Sequence, residues 1–148
     1  MKMSKRTILG LSIKTCNREN QAQHDIALLW DRFMKGDIAG QIPDKCSNDI
    51  IAVYTNYEGD YMDPYEYILG CEVASCDEVP EGLVKCEIEE GEYANFMAKG
   101  KMPQALIVKW GEIWSTDLKR HYRTDFEIYG ERSQNPENGE VDIYIGLA

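Results

Sequence analysis

The stretch Thr124-Asp125-Phe126-Glu127-Ile128-Tyr129-Gly130 reads as a short strand. Alternation sets Phe126 and Ile128 on one face and Asp125, Glu127 and Tyr129 on the other. Glu127 thus sits mid-strand between two apolar neighbours. A carboxylate there either lies on a solvated sheet face or needs a partner, without which its pKa rises and it turns neutral. The strand alone leaves both readings open.

Outward from this strand the pattern is regular. Residues 131–139 form a polar turn, and 140–147 (Glu-Val-Asp-Ile-Tyr-Ile-Gly-Leu) form a last strand. Upstream, Pro103 suits the first turn of a helix, and Leu106, Trp110, Ile113 and Trp114 make its apolar stripe. Gly111 inside it costs about 1 kcal/mol relative to Ala. Lys119, Arg120 and Arg123 follow the helix, where cations suit its dipole. Residues 93–99 form the strand before it, closed by Gly100. The order is strand, helix, strand, strand.

The N-terminal half has the same order. Residues 6–14 form a strand in which Gly10 marks a bulge or a close backbone approach. Asn20 and Gln23 make a capping pattern for a helix over 21–35, with Ala22, Ile26, Leu29, Trp30 and Phe33 on one face and Gly36 as the stop. A loop over 37–48 leads to a strand at 49–57, an acidic turn at 58–64 and a strand at 65–75 with Gly70 at its centre, so the last two strands form a hairpin. Val-Pro-Glu-Gly at 79–82 resets the chain, and 83–88 is one more strand. The expected fold is α+β: a tandem βαββ repeat with pseudo-twofold symmetry, an antiparallel sheet and two main helices. It forms one domain over 1–148, with halves of about 1–76 and 83–148. Each half offers three strands to one helix. Side by side they share a core and leave a central groove near the axis, where helix Trp and strand Tyr residues meet Glu127. A concave aromatic site with one placed charge is a ligand-binding site in the making.

Composition narrows the function. A chain of 148 residues that is 43% hydrophobic buries a real core. A net charge of −10 argues against a nucleic-acid surface and favours cations over anions, while also serving solubility. The start of the sequence, basic but without a following apolar core, leads to the expectation of no signal peptide; no membrane-length apolar run occurs and five cysteines is an odd number, so reduced thiols in a cytoplasmic protein are expected. No Cys-x-x-Cys occurs, Cys71 and Cys76 included, and Asp60 and Asp63 lack calcium-loop order. No metal and no cofactor is expected. His24 and His121 are the only histidines, and no nucleophile–histidine signature accompanies them, so no catalytic residues are expected.

Together these residues resemble a known family. The likeness rests on Ile-Leu-Gly-Leu-Ser, Leu-Trp-x-Arg-Phe, Ala-Val-Tyr-Thr-Asn-Tyr, Tyr-x-Tyr-Ile-Leu-Gly-Cys-Glu-Val, Val-Pro-Glu-Gly, Tyr-Ala-Asn-Phe-Met-Ala-Lys-Gly, Trp-Gly-Glu-Ile-Trp, Asp-Phe-Glu-Ile-Tyr and Asp-Ile-Tyr-Ile-Gly, in that order over nearly the whole chain. The chain resembles the GyrI-like small-molecule-binding domains, also described as AraC-type effector-binding domains, in their stand-alone, integron-associated branch. The resemblance implies that Glu127 is the counter-charge for a lipophilic cationic or aromatic molecule. It implies Tyr54, Tyr93, Trp110 and Tyr129 as the aromatic walls, with Trp114 as wall or core. Trp30, Phe33, Leu106 and Ile113 are assigned to core. Many relatives carry a DNA-binding helix-turn-helix, for which no room is expected here. The chain would then sequester its ligand or act through a protein partner, touching neither nucleic acid nor membrane. Two other readings are a protein-interaction regulator of the gyrase-inhibitor kind and a hydrolase of reactive small molecules with Glu127 as base.

Overall fold

The computed structural model describes residues 2–59, 62–74, 78–135 and 137–147. Asp60, Cys76 and the side chains of Asn20 and His121 lie outside the described residues. The chain runs β1 (Lys2–Met3), β2 (Arg6–Thr15), α1 (Gln21–Lys35), α2 (Ile38–Gln41), β3 (Ile50–Thr55), β4 (Tyr65–Val73), β5 (Val84–Ile88), β6 (Gly91–Gly100), α3 (Gln104–Ser115), β7 (Arg120–Tyr129) and β8 (Gly139–Leu147). Both βαββ units stand where the periodicity places them. Short helix α2 interrupts the expected loop, where Ile38 and the buried Ile42, four residues apart, pack toward the core under α1. β3 stops at Thr55 because Asn56 turns left-handed, with φ of 51°.

All eight strands form one antiparallel sheet in the order β1-β6-β8-β7-β3-β4-β2-β5. The pseudo-twofold falls between β7 and β3, with β6-β8-β7 on one side mirrored by β3-β4-β2 on the other. The two remaining strands obey the same symmetry. β1 precedes the first unit but pairs with β6 of the second, and β5 precedes the second unit but pairs with β2 of the first. Each half thus lends its leading strand to the other.

The sheet must curl. β5 and β6 stand six strand spacings apart in the order, about 29 Å if the sheet were flat. Only Glu89 and Glu90 join them, which span at most about 11 Å. The inside of the curl is apolar: Ile8, Ile51, Val53, Ile68, Ile88, Tyr93 and Phe126 form one buried cluster drawn from strands of both halves. The expected close approach at Gly10 occurs where β2 crosses β4. Gly10 faces Gly70, and a Cβ on Gly10 would lie 2.2 Å from the Leu69 carbonyl oxygen.

The helices cover the other face of the sheet. α1 buries Ala22, Leu29 and Phe33 against β2 and β4. α3 buries Trp110 and Ile113 against β6. Between the helices run the two central strands, β3 and β7, whose side chains on this face include Ala52, Tyr54, Asp125, Glu127 and Tyr129.

Candidate functional site

Register places Glu127 at the centre of the molecule. Its strand neighbours are Ala52 on β3 and Ile143 on β8, both fully buried. Glu127 itself is 0% exposed, which removes the solvated-face reading. Three donors converge on its carboxylate. Trp110 of α3 gives its indole N–H to Oε2 at 2.6 Å, Tyr54 gives its hydroxyl to Oε2 at 3.2 Å, and Tyr129 gives its hydroxyl to Oε1 at 2.7 Å. All three are neutral. Among the described residues no Lys, Arg or His forms an ion pair with Glu127.

Burial pushes the Glu127 pKa up to about 6, and the hydrogen bonds from Trp110, Tyr129 and Tyr54 oppose it without cancelling it. The tyrosines answer in kind. Burial and then the Glu127 charge raise Tyr54, Tyr67 and Tyr129 well above the usual phenol value, so all three stay protonated, and Tyr54 and Tyr129 remain donors to Glu127.

The aromatic wall is larger than the sequence reading allowed. Tyr54 packs at 5.0 Å from Trp110, 5.1 Å from Tyr67 and 5.6 Å from Tyr65, ring centre to ring centre. Trp30 meets Tyr129 edge-on at 4.7 Å and donates its N–H to the Tyr67 hydroxyl at 2.9 Å. Trp30, Tyr65 and Tyr67 thus join Tyr54, Trp110 and Tyr129 around Glu127. Trp30 packs against the core, as the sequence reading has it, and borders this wall as well, whereas that reading passes over both tyrosines. The signal was present, since Tyr65 and Tyr67 are two residues apart and share a face.

Tyr93 is a correction. It lies inside the curl against Phe126, at 5.5 Å between rings, and bonds the Glu89 carbonyl at 2.7 Å. Its β8 partner is Gly146, one residue out of phase with Ile145 and Ile143, which face the helices. Trp114, one turn beyond Trp110, is 36% exposed at the surface of α3. Arg120 also departs from its expected place at the helix end. It opens β7 and pairs with Asp125 at 2.7 Å, because a buried Asp125 demands a cation that the α3 terminus does not. The expected groove over Glu127 is occupied by the aromatic side chains themselves. Concavities of about 470 and 370 Å³ open elsewhere, both bordered by Glu66 and Asn56.

The family model described as integron-associated effector binding protein matches residues 2–147. The putative transcriptional regulator protein YobU of Bacillus subtilis is 31% identical over 93% of this chain and 89% of its own length. An integron cassette protein from the mobile metagenome of Vibrio cholerae shares the fold at a TM-score of 0.77 and 29% identity, over 100% of this chain and 94% of that one. A structure of SAV2435 bound to tetraphenylphosphonium superposes at a TM-score of 0.81 with 18% identity, over 100% of this chain and 92% of that one, a likeness of fold. The repeat, the curled sheet and the match over nearly the whole length agree: the chain belongs to the integron-associated effector binding proteins.

Proposed function

We propose that this protein binds a lipophilic organic cation against Glu127, in a space that opens when the aromatic side chains of α1, α3 and the central strands turn aside from the carboxylate. The observation that carries the reading is a fully buried carboxylate held by three neutral donors and by no cation among the described residues. Desolvation makes its charged form costly, and a bound cation supplies the attraction that offsets that cost. Rings of Trp30, Tyr54, Tyr67 and Trp110 add cation–π contacts of about 0.5–2 kcal/mol each. The tetraphenylphosphonium bound to SAV2435, a protein of the same fold, supports this ligand class. YobU's name as a putative transcriptional regulator supports a signalling role, with the bound state passed to a partner rather than consumed.

A hydrolase reading draws on the same carboxylate, since a base with a pKa near 6 suits neutral pH. Both oxygens of Glu127 already accept hydrogen bonds from neighbouring rings. That arrangement favours pairing with a charge over taking a proton from water.

The test is a tryptophan-quenching and calorimetric titration of wild type and Glu127→Gln with tetraphenylphosphonium and the neutral triphenylphosphine oxide. Expected are saturable binding of the cation to wild type, at least tenfold weaker binding to the variant, and weak binding of the neutral compound to both. Equal cation affinity in the two proteins refutes the counter-charge.

A further inference from the structure

Glu127 is one of two carboxylates buried on the helix-bearing face of β7. Asp125 lies two residues before it, equally buried, so the two are about 6.7 Å apart along the strand. They are treated differently. Asp125 accepts the Arg120 guanidinium at 2.7 Å and the Tyr57 hydroxyl at 2.5 Å on Oδ2, and the Gly146 amide at 2.9 Å on Oδ1. The Arg120 side chain is 3% exposed. It reaches Asp125 on its own strand because the β7–β8 register shifts between these two residues. The aromatic wall does not stop at Glu127. Rings follow one another from Tyr54 to Tyr65 at 5.6 Å and from Tyr65 to Tyr57 at 5.5 Å, ending at Asp125.

We infer that Arg120 sets the charge of the ligand. With Arg120 in place, the face offers one uncompensated carboxylate, and the site takes an organic monocation in preference to a dication of the same shape. The span between Glu127 and Asp125 suits two positive charges on one aromatic body. The second charge would meet Arg120 in the same poorly screened region, and like charges held there repel strongly. Asp25 does not substitute for Asp125. It is half-buried near the start of α1 and tied to Thr15 and Gln21. This inference rests on the Glu127 reading and names the residue that limits its ligand class.

The test compares p-xylylenebis(trimethylammonium) with 4-neopentylbenzyltrimethylammonium, in which carbon replaces the second nitrogen. Wild type is expected to bind the monocation at least tenfold more tightly. Arg120→Gln, which keeps an N–H donor for Asp125, is expected to close that ratio by tenfold or more through tighter binding of the dication. Arg120→Lys is expected to retain the wild-type ratio. An unchanged ratio in folded Arg120→Gln overturns the inference. So does equal or tighter binding of the dication by wild type, a result that needs no variant to fold. Binding of both compounds alike leaves the Glu127 reading standing, whereas binding of neither, with no effect of Glu127→Gln, removes both.

Discussion

Replacing Glu127 by Gln removes a carboxyl that titrates near 4.5 in the unfolded chain and near 6 in the folded one. The folded pKa is raised, so between these values the folded state holds more protons than the unfolded state. Unfolding then releases protons, and stability falls as pH rises through the window. The gap, at about 1.4 kcal/mol per pH unit, comes to about 2 kcal/mol. Wild type therefore loses about 2 kcal/mol relative to Glu127→Gln between pH 4.5 and pH 7. Urea unfolding at half-unit pH steps measures the loss as a midpoint difference of about 1 M across the window, for a slope of about 2 kcal/mol per M. Other carboxylates titrate in both proteins and cancel in the difference. Parallel pH curves for the two proteins would refute the claim that Glu127 is buried without a cation. A difference that grows in the opposite direction would mean that it is paired.

Three further outcomes follow from particular contacts. Because a cation pairs with ionised Glu127, tetraphenylphosphonium should bind about tenfold more weakly at pH 5 than at pH 7.5, where the carboxyl is fully ionised; calorimetry at the two pH values checks this. Tyr93→Phe should leave cation affinity within twofold, because Tyr93 lies inside the curl, and should cost about 1 kcal/mol of stability for the lost bond to the Glu89 carbonyl. Gly10→Ala should destabilise by about 2–4 kcal/mol in urea, because its Cβ would meet backbone atoms of Leu69 and Gly70 that move only with β4.

The sequence by itself determined what short-range periodicity carries. Helix spacing marked α1 and α3, alternation put Glu127 and Tyr129 on one face, and the order of elements exposed the repeat. Gly10 stood mid-strand as the mark of a bulge or a close backbone approach, and it faces Gly70, at the centre of the next strand of the sheet, across β2 and β4. The tertiary structure alone decided what register carries. Which face of β6 Tyr93 occupies depends on how β6 meets β8 some 50 residues later, and no local pattern states that phase. The gathering of Trp30, Tyr67, Tyr54 and Trp110 around one carboxylate depends on β3 and β7 meeting at the pseudo-twofold, a pairing of residues more than 65 positions apart. The different environments of two neighbouring acids have the same origin. Asp125 and Glu127 differ little along the chain, and a register shift that delivers Arg120 to one of them leaves the other as the buried carboxylate whose donors are, among the described residues, all neutral.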